Sequence, residues 1–155
     1  MSSDILVIEK ELLNSAVFRS LSSTAMIIYL DFLQRRQMKK IGRKKKLIIL
    51  NNGELIYTYG EAEKRGFTRT RFARAIDELV QKGFIDIAHA GNGYNKDCTL
   101  YSISERWRAW GTENFIQKNR PKDTRKGETF RAMHRGRKTK VRNENVTCIS
   151  NDIVT

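Results

Sequence analysis

The sequence predicts an α+β fold, on three observations. Apolar residues recur at helical spacing in two longer segments, one starting near Leu21 and one near Arg69. Short β-rich runs lie between and after them: LIIL, ELIYT, FIDIA and CTLYSI. Glycines at 53, 66 and 83 punctuate the joins.

Taken in order, Asp4 to Phe18 is mixed: ILVI suits a short strand, and EKELLNS a helical turn or two packed beside the domain. Ser22 and Ser23 are natural N-caps, because a hydroxyl accepts a hydrogen bond from a free amide of the first turn. In TAMIIYLDFLQRR, Ala25, Ile28, Tyr29, Phe32 and Leu33 share a face. Met26, Ile27 and Leu30 make the helix apolar on nearly every side, which suits the centre of a small core. Arg35 to Lys46 holds eight bases and no acid and reads as a solvated linker or loop, with contact along a phosphate backbone, adding affinity without reading sequence, as the favoured role. Asn-Gly between LIIL and ELIYT predicts a hairpin of Leu47 to Asn51 with Glu54 to Thr58, since both turn residues tolerate positive φ.

Thr58-Tyr59-Gly60-Glu61 matches a capping box, predicting a short helix from Tyr59 to about Arg65 that Gly66 ends. Thr68 caps a second helix, Arg69 to about Lys82, with Phe72, Ile76, Leu79 and Val80 as its buried stripe and Gly83 as its stop. Phe84 to Ala88 and Cys98 to Ile103 read as strands joined by the polar loop HAGNGYNKD. Ser104 caps a last short helix whose Trp107 and Trp110, three apart, share a face and suit packing. From Ile116 onward there are eleven bases and four acids and few large apolar residues until the end, so a mostly disordered tail is expected.

Composition narrows the function classes. Lys and Arg number 30 against 17 acids, a net charge of +13, which points to a polyanionic partner. No apolar run is long enough for a membrane span, and MSSDILVIEKE lacks the basic and long apolar regions of a signal peptide. Two cysteines 50 positions apart suggest no disulfide framework and fit a reducing cytoplasm. No Cys/His spacing suits zinc, no carboxylate cluster suits another metal, and no nucleophile, base and oxyanion donor come together, so neither a cofactor nor an enzyme is expected.

Helix, hairpin, short helix, glycine turn, longer helix, strand, loop, strand is the order of a winged helix-turn-helix, with residues 89–97 as the wing. FTRTRFARAIDELVQKGFI resembles the recognition-helix region of bacterial winged-helix repressors of the gluconate-repressor type, whose pattern is roughly S-R-x-T-V-x-R-A-L-x-x-L-x-x-x-G-L-I. Thr68 stands for the capping serine and Arg69 for an arginine that touches DNA in those regulators. Phe72, Ala75, Ile76, Leu79, Gly83, Phe84 and Ile85 match structural positions, Arg74 matches a basic one, and Arg71 stands where that family prefers threonine. More widely, Glu9 to Ser104 is similar to prophage and plasmid winged-helix proteins, some of them associated with replication.

Together these predict a winged helix-turn-helix domain over residues 1–115 and a basic tail over 116–155. The expected partner is double-stranded DNA, read by Thr68, Arg69, Thr70, Arg71 and Arg74 of the recognition helix and by Asn95 and Lys96 of the wing. Arginine can donate two bonds to a guanine edge, and threonine hydroxyls can hold phosphates. The rival view of the arginines is a solvated face paired with Asp77 and Glu78. A cytoplasmic transcription regulator is the first expectation. A replication-associated protein that binds other replication proteins, or an RNA-binding protein, are the alternatives. Many such regulators are homodimers, a partnership this chain would make without a long dimerisation helix. The tail reads as a non-specific clamp; its Arg135-Gly136-Arg137 resembles an AT-hook core with Lys138 in place of proline.

Overall fold

In a computed structural model, the structure describes residues 6–43, 46–91 and 97–121. The fold is α+β. Two short helices, α1 (Lys10–Asn14) and α2 (Ala16–Arg19), precede the longer α3 (Ser23–Gln34). Strands β1 (Met38–Ile41), β2 (Lys46–Ile49) and β3 (Leu55–Ile56) follow. Then come α4 (Tyr59–Lys64), α5 (Arg69–Gln81), β4 (Ile85–His89), β5 (Leu100–Ile103) and a 3-10 turn at Arg106–Ala109. Residues 6–9 form no strand, so the strand expected at ILVI is absent among the described residues.

The helices start where the hydroxyls allow. Ser22 Oγ accepts from the Ala25 amide at 3.2 Å to open α3. At α4 the capping box is complete: Thr58 Oγ1 accepts from the Glu61 amide at 3.2 Å, and Glu61 Oε2 accepts from the Thr58 amide at 2.8 Å. Thr68 Oγ1 accepts from the Arg71 amide at 3.3 Å and opens α5. Gly66, at φ +87°, turns the chain between α4 and α5.

The core lies where α3 crosses α5. Ala25, Ile28 and Phe32 from α3 and Phe72, Ile76 and Leu79 from α5 are almost wholly buried. Burial of each large side chain contributes roughly 1.5–3 kcal/mol. Phe84, just after α5, fixes the join: its ring lies 5.1 Å from Tyr29 and stacks on Trp107 at 6.0 Å and 9°. Trp107 is therefore a packing anchor. Trp110 is partly exposed and meets Phe115 edge-on at 4.8 Å.

The strand pairing corrects the sequence reading. Leu47 to Asn51 and Glu54 to Thr58 do not pair with each other. Instead β2 pairs antiparallel with β1, and β3 joins a separate three-stranded sheet in the order β3-β5-β4. The basic segment taken for a linker thus holds β1 and the start of β2, turned at Gly42 with φ +74°. Two causes are visible. The Asn51 side chain accepts from the Gln37 amide and donates to the Arg35 carbonyl, both at 2.8 Å, which ties the chain after β2 back to the chain before β1. Pairing with β5 in turn lets β3 and the residue after it bury Leu55 and Tyr57. The Asn-Gly signal does mark a turn, with Gly53 at φ +92°, but that turn links two sheets.

The chain past Phe115 continues against the domain. Ile116 O accepts from Arg106 Nη1 at 2.7 Å, Lys118 lies 3.4 Å from Asp86, and Arg120 pairs with Asp77 at 2.9 Å. The expected disorder of the remaining tail, and the AT-hook resemblance, lie outside the described residues. Among the described residues, no helix is long and apolar enough to cross a membrane.

Candidate nucleic-acid interface

The site is built on α4, the Gly66 turn and α5. Phe72, Ala75, Ile76, Leu79 and Val80 face the core, so Thr70, Arg71, Arg74 and Gln81 face solvent. The inward stripe therefore sets the outward set, as helical spacing dictates.

Each acid near this face already has a cationic partner. Glu78 accepts from Lys82 Nζ at 2.8 Å and from the Ser22 amide and hydroxyl at 3.1 and 2.7 Å. Burial alone would push the Glu78 carboxyl up, but those bonds outweigh it and hold the group below the ordinary carboxylate range. Asp77 is paired with Arg120, and Glu63 with Arg69 at 2.7 Å. Among the described residues, Arg71 and Arg74 make no side-chain hydrogen bond or ion pair. They are not neutralised by Asp77 and Glu78, as the solvated-face view required.

Arg71 and Arg74 line a shallow groove of about 280 Å³ with Ser22, Thr24, Ala75 and Glu78, between α5 and the start of α3. Arg69 stands apart from this pair. Its side chain is 69% exposed, but its Nε is engaged by Glu63 across the turn. Thr68 is exposed, with its hydroxyl oxygen used as the cap, and Thr70 is exposed at the helix start. Asn95 and Lys96 lie outside the described residues. At the edges of that gap, His89 Nε2 lies 2.8 Å from Asp97 Oδ1.

Two features escaped the sequence reading. Arg120 reaches α5 from far along the chain and covers Asp77, and it also donates to Tyr59 Oη at 3.4 Å. Nothing local to NRPK announces that contact. The second is the polar tie under α4. Arg35 donates to Ile56 O at 2.7 Å and Glu61 Oε1 at 3.1 Å, and its guanidinium lies 4.3 Å from the centre of the Tyr57 ring. Asp31 accepts from Tyr57 and from Arg65. A lone acid in the apolar run TAMIIYLDFL was the available signal.

Arg71 and Arg74 thus stand exposed on a helix whose neighbouring acids are held by other cations. Comparison with family models, curated proteins and solved structures returns no match to this chain.

Proposed function

We propose that the chain is a double-stranded DNA-binding protein of winged helix-turn-helix type and acts as a transcription regulator. In this reading α4 and α5 are the helix-turn-helix, the segment joining β4 to β5 is the wing, and the first turns of α5 enter the major groove. One observation carries it: Arg71 and Arg74 stand exposed and unpaired among the described residues, while Asp77, Glu78 and Glu63 are each held by another cation. Charges kept free in this way suit an outside anion. The element order and the net charge of +13 support the same partner.

Selection of bound sites from random duplexes, followed by titration of the Arg71→Ala, Arg74→Ala double variant, tests the reading. A bidentate arginine–guanine pair discriminates by about 1–3 kcal/mol, so a loss of roughly 5- to 150-fold per base-reading arginine is expected, with relaxed preference at that position. Unchanged affinity and preference would overturn the reading. Structured RNA that competes as well as duplex DNA at equal salt would replace DNA by RNA as the partner.

A further inference from the structure

The β1–β2 ribbon is absorbed neither by the core nor by the α5 face. All described residues from Gln37 to Leu47 are exposed, and Met38, Ile41 and Leu47 are apolar among them. The register pairs Lys39 with Ile48, Lys40 with Leu47 and Ile41 with Lys46. Every lysine of the ladder therefore has an apolar residue opposite. Exposed antiparallel pairs gain from opposite charges set across from each other, and that device is absent here. The aliphatic stems can lie on their apolar neighbours while the ammonium groups reach outward. Lys39, Lys40, Arg43 and Lys46 form no ion pair among the described residues, and no acid occurs in the sequence between Asp31 and Glu54.

The ribbon is also firmly rooted. Leu50 donates its amide to Gln37 O at 2.8 Å, and Asn51 ties both sides of the root. Arg35, just before it, is fixed to Ile56 O and Glu61. Its place differs from that of the α5 arginines. The run of β3 sets Leu55 opposite Tyr101 and Ile56 opposite Leu100, while Asn52 bonds Ile103 N at 2.7 Å. The ribbon root thus lies at the Ile103 end of the sheet, and the link between β4 and β5 leaves the other end. At the Ile103 end α5 connects through Gly83 by its last turn, away from its arginine-bearing start.

We infer that the β1–β2 ribbon is a second DNA-binding arm, gripping the phosphate backbone through Lys39, Lys40, Arg43 and Lys46 separately from α5. A two-stranded ribbon matches the width of a major groove, and a cluster of cations without acids matches its phosphate rims. The inference rests on the reading of the chain as a DNA-binding protein. Such contacts add affinity for every sequence alike and carry no preference of their own.

The test compares two full-chain variants with the same change in charge. Lys40→Glu, Lys46→Glu alters the ribbon; Lys10→Glu, Arg19→Glu alters exposed positions on α1 and α2. Binding to duplexes of selected and scrambled sequence is measured across a salt series, with thermal melting as the check on folding. The ribbon variant is expected to lose at least about tenfold on both sequences beyond the loss in the matched variant. Its log–log salt slope should flatten by about 0.9 per lost phosphate contact, close to 2 in all. Lys40→Arg, Lys46→Arg should bind as the unaltered chain does. Equal behaviour of the two glutamate variants overturns the inference and leaves the lysines as guards of exposed strand edges, a task glutamate performs as well. In that case a loss in the Arg71→Ala, Arg74→Ala variant keeps the DNA reading standing, and its absence removes both. Loss of binding to anionic lipid vesicles with duplex binding intact would overturn the arm in favour of a membrane surface.

Discussion

The Tyr57 hydroxyl donates to Asp31 Oδ2 at 2.7 Å, joining the central helix α3 to the segment that leads into α4. Both residues are buried, and Arg65 supplies a second donor to the same carboxylate. Burial first, and Asp31 second, push the Tyr57 phenol well up, so it remains a neutral donor at any ordinary pH. Tyr57→Phe keeps the ring packing on Phe32 and Phe72 and removes only the donor. A hydrogen bond to a charged group contributes about 1.5–3 kcal/mol, so a loss of that size is expected in denaturant unfolding. A change below about 0.5 kcal/mol would mean that Arg65 alone satisfies the carboxylate.

Gly83 and Gly66 have similar φ values, +81° and +87°, but different surroundings. A Cβ on Gly83 would lie 2.8 Å from both Arg106 Cβ and the Trp107 amide nitrogen, whereas one on Gly66 would meet nothing within 4 Å. Gly66→Ala carries the left-handed strain alone, about 1–2 kcal/mol. Gly83→Ala adds an overlap with backbone, raising the loss to about 2–4 kcal/mol. Urea titration of the two variants separates the cases; equal losses would show that the 3-10 turn simply moves aside.

The contrast between local and distant signals explains what the sequence made legible. α4, Gly66 and α5 were readable because Thr58, Glu61 and Thr68 act within three residues of themselves. The inward stripe of α5 followed from spacing alone, and with it the outward Arg71 and Arg74. The partner of Leu47 to Ile49 was not readable, because strand choice depended on Asn51 reaching back to Arg35 and on β3 joining β5. The state of the α5 acids was equally hidden. Asp77 depends on Arg120, 43 positions away, and Glu78 on Ser22, 56 positions away.

Acid should destabilise the domain through three carboxylates. Burial by itself pushes Glu61, Glu78 and Asp86 up. Bonds from Thr58 and Arg35, from Lys82 and Ser22, and from Arg106 respectively outweigh it, and each group ends below its ordinary value. The unfolded chain therefore takes up these protons at a higher pH than the folded one. Stability from them is complete above the ordinary values of 4.5 for the glutamates and 3.8 for Asp86, and is lost as pH falls through and below those values. Melting at constant ionic strength should give a Tm that is level from about pH 7 to 5.5 and falls steeply below about pH 4.5. Glu78→Gln should melt lower at neutral pH and show a shallower acid limb. A level Tm down to about pH 3 would contradict the assignment.

Arg120 covers Asp77 on the solvent side of α5, three residues from Arg74. Its ion pair is partly exposed, and such pairs contribute about 0–1 kcal/mol, so Arg120→Ala should barely alter Tm. Its effect on DNA binding should be larger. The substitution removes one cation and uncovers a carboxylate beside the arginines proposed to face DNA, and like charges brought together weaken association. A loss of about 3- to 10-fold in duplex affinity is expected at low salt, shrinking as salt screens the surface. Asp77→Asn in the same background should restore part of that loss, because the uncovered charge is then gone. The four-cornered comparison of Arg120→Ala, Asp77→Asn, the double variant and the unaltered chain measures the coupling directly. If the two substitutions act independently, Arg120 contributes only its own charge, and the covering of Asp77 has no part in binding.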